Sequence, residues 1–376
     1  MQKKLIALAV AGLASTAAFA QSNVQIYGSI DYGYSYRFDD LQGSNLVQKN
    51  ASSSSQFNGG QSAGNRIGFK GTEDLGNGLK AVFLMEQGYS LGTSQDAGAF
   101  GGQSFSFTRQ AYVGLAGNFG TVIGGRLYTP HYTFVSSMDP FAAGTVGRYN
   151  NTYGARNGGA SSAGLFDPVR VDNAVAYVSP SFSGFQVTGA YSNNAIGEDS
   201  VTNSATNNTV YALLGTYTAG KLNAGLSYHY IAAGSNATIW SDVQTVAGGA
   251  SYDFGVAKVS GLISYGTQDN TSLNVSSKDA TVVNYMLGVT APFGKHAVKG
   301  SFNYSDATNN LGQDAYQLAI GYDYSLSKRT NFYSAYSFID NDTSARYPNR
   351  TGVVGDASNP GGIFQQGLQV GVRHQF

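Results

Sequence analysis

The sequence predicts an all-β protein, a 16-stranded antiparallel transmembrane β-barrel. Three observations predict this fold. The chain begins with an export sequence, its composition is poor in charge and rich in glycine and tyrosine, and apolar residues alternate with small or polar ones between regularly spaced turns. Each of these observations is weak alone, and together they leave few other fold classes.

The N-terminus has the three regions of a secretory signal peptide. Lys3 and Lys4 precede an apolar run over residues 5–13, and small residues follow up to the expected cleavage point after residue 20. A membrane-anchoring helix needs about 20 apolar residues, roughly twice the length of this run. We therefore expect residues 1–20 to be removed and residues 21–376 to form a single barrel domain.

The composition favours a membrane-embedded wall over a soluble surface. Charged residues make up 12% of the chain, about half the usual share, whereas glycine contributes 50 of 376 residues and tyrosine 26. No segment after the signal peptide is long and apolar enough for a transmembrane helix, which leaves a soluble exported protein or a barrel. A lipid-facing wall needs few charges, so the barrel is the better account.

Charge and cysteine content exclude several classes of partner and site. The formal net charge is zero, which gives no reason to expect nucleic acid or another polyanion as a partner. The chain has no cysteine, so a disulfide framework, a thiolate metal site and a thiol nucleophile are all excluded.

The alternation has a period of two residues, as expected for strands with two different faces. It is clear in residues 24–35, 222–230, 315–324 and 368–376. In the third of these segments the larger apolar side chains share one parity: Tyr316, Leu318, Ile320, Tyr322 and Tyr324. Strands of about 9–11 residues cross a bilayer when tilted.

Turn spacing separates a barrel from a soluble β-sandwich, which would show the same alternation. Seven short turns are predicted, at residues 73–78, 117–120, 180–184, 219–221, 253–256, 292–295 and 325–328. Longer polar segments lie between them, as in outer-membrane barrels. Seven short turns join eight hairpins, which gives sixteen strands and room for an aqueous channel.

Five sequence segments resemble the trimeric general-diffusion porins of Gram-negative bacteria, especially their beta-proteobacterial branch. They are NVQIYGSIDYGY (23–34), NRIGFKGTEDLGNGLKAVF (65–83), TRQAYVGLAGNFGTVIGGR (108–126), SPSFSGF (179–185) and the terminal GVRHQF. The resemblance implies a homotrimer in the outer membrane with a long third loop, residues 128–168, folded into the lumen. It also implies that Phe376 is a signal to the outer-membrane assembly machinery.

Strand parity selects the first candidate residues of a pore constriction. Ile67 and Phe69 are expected to face lipid, so Arg66 and Lys70 point into the lumen, because a charge on the lipid face costs about 2–4 kcal/mol at the midplane. By motif match, Arg66 and Arg109 correspond to the constriction arginines of the resembled family.

Four further charges are candidates on other grounds. Arg170 opens the strand after the third loop and shares the parity of Asp172. Arg37 and Arg126 are weaker candidates for lumen charges, because both lie near strand ends, where a bulge can reverse the face. Asp139 lies where the resembled family often carries an acidic residue in its third loop, and we expect it to oppose the arginines.

No residue set predicts an enzyme, a cofactor or a metal site. Residues 60–64 match the G-x-S-x-G pattern of serine hydrolases, but a loop precedes them and a strand follows, whereas the pattern requires a strand and then a helix. The four histidines are scattered without metal-ligand spacing. The segment 76–78 begins like a glycine-rich phosphate loop but fits a hairpin turn better.

The predicted function is passive diffusion of ions and small hydrophilic solutes through a water-filled pore. The sign of ion selectivity stays open. A substrate-specific outer-membrane channel is the alternative, which would need an aromatic track along the lumen. Most aromatics fall on the lipid parity instead. An outer-membrane enzyme would need a nucleophile with a base, and an adhesive β-protein would show sequence repeats; neither pattern is visible.

Overall fold

The computed structural model describes residues 23–41, 54–92, 107–153, 169–195, 207–234, 242–268, 280–306, 314–341 and 363–376. The predicted signal peptide and its cleavage point lie outside these residues. The described chain forms seventeen β-strands, one α-helix and a short 3₁₀ helix.

The first strands are β1 (Asn23–Leu41), β2 (Ser54–Gly59), β3 (Arg66–Gly76), β4 (Leu79–Gly88), β5 (Gln110–Gly117) and β6 (Gly120–Tyr128). Helix α1 (Pro130–Met138) and the 3₁₀ helix (Tyr149–Asn151) follow. The remaining strands are β7 (Arg170–Val178), β8 (Phe185–Ser192), β9 (Thr209–Ala219), β10 (Leu222–Ala232), β11 (Val243–Asp253), β12 (Lys258–Gln268), β13 (Ala280–Phe293), β14 (His296–Asp306), β15 (Ala315–Ser325), β16 (Thr330–Asn341) and β17 (Ile363–Gln375).

The sheet closes on itself. Neighbouring strands pair antiparallel, and β17 returns to pair with β1. Strands β2 and β3 pair with successive parts of β1 and so occupy one position in the wall. The described strands therefore form a wall of sixteen positions, which confirms the predicted 16-stranded antiparallel barrel.

Phe376 lies on the outer face at the seam between the first and last strands. Its backbone exchanges two hydrogen bonds of 3.2 Å with Gly28. The ring covers Gly28, where a β-carbon would come within 2.9 Å of the ring carbon Cε1. The terminal side chain is thus packed at the closure of the barrel and is distant from lumen contacts, as its parity predicts.

All seven predicted short turns connect strands that the structure contains. The turn between β3 and β4 shows why the sequence specifies them. Asn77 and Gly78 have φ values of 51° and 79°, the left-handed backbone that a two-residue hairpin turn requires and that asparagine and glycine adopt most readily. The opposite ends of the strands carry the longer connections.

The two faces of the wall differ as the alternation predicts. Large apolar side chains such as Leu226 and Ile263 are more than half exposed on the outer face, whereas Ser227 and Ser264 on the inner face are buried. Lipid would cover the outer set, and small polar residues suit a face that borders water or packed protein. No helix in the described part of the chain is long and apolar enough to cross a membrane.

The described part of the third loop, residues 129–153, lies inside the barrel. It begins with α1, whose apolar side chains pack on inward-facing residues of the wall. This interior core comprises Phe134, Val135, Met138, Tyr149, Tyr153, Leu214, Ala247, Leu262 and Met286. The described loop therefore packs against one side of the interior, and Arg66 and Arg109, with partly exposed side chains, lie on the other side. Residues 154–168 of the predicted loop lie outside the described residues.

Candidate functional site

Arg66 and Arg109 meet on the inner face of the wall. Arg66 is the first residue of β3, in register with the buried Ser29 of β1, so its side chain points inward. Arg109 comes one residue before β5 and has the parity of Val113, which is 65% exposed on the outer face. The chain bends there, and the Arg109 side chain turns inward to reach Glu86.

Glu86 connects the two arginines. Its Oε1 lies 2.5 Å from Arg109 Nε and 3.9 Å from Arg66 Nη1, and its Oε2 accepts a hydrogen bond of 2.9 Å from the Tyr27 hydroxyl. The Glu86 side chain is buried, whereas both arginines are partly exposed. Glu86 was not among the residues predicted from the sequence. The signal was available, because Glu86 alternates with Met85, whose apolar side chain belongs on the lipid face, and a charge between such residues belongs on the lumen face.

Tyr128, the last residue of β6, joins the third arginine to this group. Its hydroxyl oxygen accepts hydrogen bonds from Arg109 Nη2 at 2.7 Å and from Arg170 Nη2 at 2.8 Å. The Arg170 guanidinium also lies 4.6 Å from the centre of the Tyr128 ring, in cation–π contact. We call Arg66, Glu86, Arg109, Tyr128 and Arg170 the arginine cluster.

Arg170 lies in the cluster, but not because it shares the parity of Asp172 and Ala174, as the sequence predicts. Strand β7 has a register irregularity opposite β6, and Asn173 there has a φ of 48°. As a result Val171, and not Asp172, is buried on the same side as Ala174. The alternation behind the prediction was wrong, and the place of Arg170 in a pore constriction stays a prediction.

The arginine cluster carries a net positive charge, because it contains three guanidinium groups and one carboxylate. Lys70 adds a further cation on β3, between Arg66 and the short turn that ends the strand. It lies on the inner parity, and its Nζ is 5.2 Å from the centre of the Tyr27 ring. Fixed charges beside a water-filled passage with low-dielectric walls produce a focused field.

Arg126 does not belong to the lumen charges, which corrects the prediction. In the sheet register it lies in one row with Ala111 and the exposed outer residue Met85. Its Nη1 pairs with the Asp172 carboxylate, and its Nε donates to the Thr108 carbonyl at 2.7 Å. A paired charge near a strand end is tolerated on the outer face, where its cost falls to about 0–1 kcal/mol.

Arg37 lies on the inner parity of β1, in line with Asp31 and Ser35. It is near the long-loop end of the strand and is largely buried. The structure therefore places it on the lumen side of the wall, apart from the arginine cluster.

Asp139 does not face the arginines, which corrects a second expectation. Its carboxylate accepts hydrogen bonds from the backbone N–H groups of Phe141 and Ala143, both at 2.9 Å, and of Tyr149 at 3.1 Å. The side chain is buried inside the loop, and this burial raises its pKa to about 6. Asp139 holds the turn after α1 together, because a short acidic side chain can satisfy several backbone donors at once.

The third loop is fastened to the wall from β12 to β16. Ser260 donates to the Met138 carbonyl at 2.6 Å, and Ser337 donates to the Val146 carbonyl at 2.8 Å. Gln317 accepts from Asn151 Nδ2 at 2.8 Å and donates to two loop carbonyls. We call the inner face of β9 to β16 the loop-bearing wall.

Two of the four histidines, scattered in sequence, meet under α1. His131 of α1 and His229 of β10 are both buried, with ring centres 4.5 Å apart. The His131 ring nitrogens lie 2.9 Å from Ser227 Oγ and 2.9 Å from the Tyr153 hydroxyl. Burial lowers the pKa of His131 well below its usual value, which favours a neutral ring in this contact. The pair links the loop to the wall.

The structure offers no hydrolase geometry at residues 60–64. They form a bend between β2 and β3, and no helix follows. Among the residues that the structure describes, no group of three or more histidine, aspartate or glutamate side chains could hold a metal ion.

Comparison with known proteins agrees with this geometry. A family profile described as Gram-negative porin matches residues 7–344. Outer membrane porin protein 32 of Delftia acidovorans is 35% identical over 384 aligned residues, and an outer membrane porin protein of Bordetella pertussis is 31% identical over 421; each alignment covers the whole of both chains.

Among solved structures, the anion-selective porin from Comamonas acidovorans superposes with a TM-score of 0.75 at 28% identity. The match covers 95% of this chain and all of the other. The family profile covers most of the chain, and the relatives match it from end to end. The chain therefore belongs to the Gram-negative porins, and it is a channel of the outer membrane and not an enzyme.

Proposed function

We propose that this porin passes ions and small hydrophilic solutes by passive diffusion, that the arginine cluster lines the narrow part of its lumen, and that the pore therefore prefers anions. The observation that carries the proposal is a cluster of three arginines that contains a single carboxylate, Glu86: Arg66 and Arg109 approach Glu86, and Arg170 joins them through the Tyr128 hydroxyl. The acidic residue expected on the opposite side, Asp139, is turned into the loop and does not oppose this positive charge.

The magnitude of the effect follows from electrostatics. An anion that passes about 4 Å from one uncompensated guanidinium gains about 1 kcal/mol even in bulk water, and more beside a low-dielectric wall. A gain of this size favours an anion over a cation by roughly five-fold or more in local concentration. The solved relative from Comamonas acidovorans is described as anion-selective, which supports the same sign here.

The test is the reversal potential of the purified protein in a planar bilayer under a salt gradient. The proposal expects stable conductance steps and a reversal potential of the sign set by anion flow. A cation-selective channel would contradict the anion preference but leave the pore itself established. Absence of any conductance from folded protein would contradict both.

We propose further that the protein works as a homotrimer. The family resemblance supports this assembly, and so does a solved outer membrane protein of Vibrio cholerae with the same fold, which is described in a trimer form. Native mass spectrometry of the detergent-extracted protein tests it, and a folded monomer as the main species would contradict it.

Phe376 is proposed to serve assembly and not conduction. Its ring lies on the outer face over Gly28, where it can be recognised before the barrel closes. Deletion of Phe376 should reduce the amount of folded barrel in the outer membrane, while single-channel conductance of the barrels that do insert stays unchanged. Insertion at the normal level would show that the terminal residue is not such a signal.

Signal-peptide cleavage after Ala20 is the remaining proposal, and it rests on the order of basic, apolar and small residues. N-terminal sequencing of protein from the outer membrane should begin at Gln21. An intact N-terminus in the outer-membrane fraction would contradict it.

A further inference from the structure

The segment 60–65 interrupts the second wall position and folds over the inner face of β1. In the sheet register Gly59 pairs with Tyr32 and Arg66 pairs with Ser29. Six residues therefore stand opposite the two residues that separate Ser29 from Tyr32, and the surplus must leave the plane of the sheet. We call residues 60–65 the strap.

Asp31 of β1 holds the strap. Its carboxylate accepts hydrogen bonds from the backbone N–H groups of Ser62 at 2.6 Å and Ala63 at 2.7 Å. Its own backbone N–H donates to Asn65 Oδ1 at 2.6 Å, and its carbonyl accepts from the Gly60 N–H at 2.9 Å. One fully buried residue thus bonds to four of the six strap residues.

The neighbouring strands fix Asp31 in turn. The Tyr333 hydroxyl of β16 donates to Asp31 Oδ1 at 2.6 Å, and Tyr333 is itself buried. Arg373 of β17 lies opposite Asp31 in the register, and its Nη1 is 3.4 Å from Ser62 Oγ. A buried carboxylate is stable when donors and a nearby cation compensate its charge, as they do here.

The strap contacts the third loop at Gly144 and Thr145, and so adds a second attachment to that of the loop-bearing wall. The Thr145 N–H donates to the Gln61 carbonyl at 2.5 Å. Gly144 packs so closely on the strap that a β-carbon there would clash with the Ser62 carbonyl. The strap also borders the arginine cluster, because a β-carbon on Gly64 would lie 2.9 Å from Arg109 Nη1.

From these contacts we propose that Asp31 is a positioning residue of the pore, which through the strap fixes the third loop and Arg109 at their present separation. The inference rests on the proposed constriction between that loop and the arginine cluster. Asp31 itself makes no contact with the passage, since its side chain is buried. Its effect on conduction must therefore pass through the strap.

The first test replaces Asp31 by asparagine in the full-length protein, measured in single-channel recordings. Both strap N–H groups donate to Oδ2 and the Tyr333 hydroxyl donates to Oδ1, so an amide oxygen facing the strap keeps two hydrogen bonds but without the negative charge that strengthens them, and an amide NH2 group facing the strap loses both. The population of channels with a displaced loop should rise about ten-fold, seen as greater open-channel noise and a larger conductance. Asp323→Asn is the matched control, because Asp323 is an inner-wall carboxylate that binds Lys299 at 2.5 Å and belongs to another part of the wall.

A second pair of variants keeps the test valid if Asp31→Asn fails to fold. Gly144→Ala should displace the loop by steric clash without altering any wall strand, and it should raise the noise in the same way. The double variant Gln61→Cys, Thr145→Cys can lock strap to loop, since the natural chain has no cysteine.

Under oxidising conditions the cysteine pair, added to Asp31→Asn or Gly144→Ala, should restore quiet channels, and a reductant should bring the noise back. Normal noise and conductance in folded Asp31→Asn and Gly144→Ala channels would overturn the proposal. So would a formed disulfide that changes neither. These readouts do not use the sign of ion selectivity, so failure of the anion preference would be recognised separately.

Discussion

The arginine cluster and the loop-bearing wall present opposite kinds of side chain at the positions that reach the interior of one barrel. On the loop-bearing wall these positions hold small or amide side chains, such as Ser260, Gln317 and Ser337, which are buried under the loop and bonded to it. In the arginine cluster they hold long cations that stay partly exposed. The difference divides the described interior into a packed half, which we expect to govern stability, and a charged half, called the open half below, which we propose to govern ion selectivity.

The largest expected effect is on the open half. Arg109→Ala removes the cation that contacts both Glu86 and Tyr128, and Arg66, at 3.9 Å, is then the arginine that remains beside Glu86. The cation-to-anion permeability ratio should rise by about five-fold or more, which corresponds to about 1 kcal/mol. Reversal potentials under a salt gradient measure it. An unchanged ratio in a folded channel would remove Arg109 from the constriction.

Glu86→Gln should act in the opposite direction. The amide removes the one negative charge of the cluster, so anion preference should increase, by somewhat less than the Arg109→Ala shift because the freed arginines can move apart. The same measurement applies, with Asp323→Asn as a control for loss of an inner-wall carboxylate outside the arginine cluster. A shift toward cations would show that Glu86 matters chiefly by holding Arg109 in place.

A change on the packed half should alter stability more than selectivity. Gln317→Ala removes three hydrogen bonds between the loop and β15 and leaves Asn151 and two carbonyls without this partner. The loss is expected to be about 1–3 kcal/mol, visible as a lower unfolding temperature of the barrel in detergent. The reversal potential should change little. A large selectivity change with unchanged stability would contradict the division into two halves.

The smallest effect is expected at Asp139. Because its carboxylate is buried in the loop, Asp139→Asn should barely change selectivity near neutral pH. The folded-state pKa of about 6 lies above that of a free aspartate, so its contribution favours the folded loop most below about pH 4 and is lost as the pH rises through 6. Stability measured from pH 4 to 8 should show this step in the natural protein and lack it in the variant.

The strands and turns were predictable because lipid on one side and water or packed protein on the other impose a two-residue period. The same period placed Arg66 and Lys70 on the inner face correctly. At Arg126 the reversal of face that we allowed for near a strand end does not occur, and for Arg170 the period gave the wrong reason, because an irregularity at Asn173 shifts the register.

The contacts between distant segments were beyond the sequence pattern. The pairing of Glu86 with Arg109 depends on a bend before β5, and the inward turn of Asp139 depends on three backbone donors that only the folded loop presents. The strap was not predicted either, because the sequence of residues 60–65 suggests an ordinary loop. Only the pairing with β1 shows that these six residues stand opposite two residues of the neighbouring strand.

The most direct test of this account compares the removal of positive charge from the two halves. The double variant Arg66→Ala, Arg109→Ala removes two cations from the open half. Lys299→Ala removes a cation that pairs with Asp323 on the loop-bearing wall. Reversal potentials of both variants and of the natural protein are measured in the same salt gradient. The account predicts that the double variant loses its anion preference and that Lys299→Ala keeps most of it. Equal shifts in both, or anion preference retained in the double variant, would contradict it.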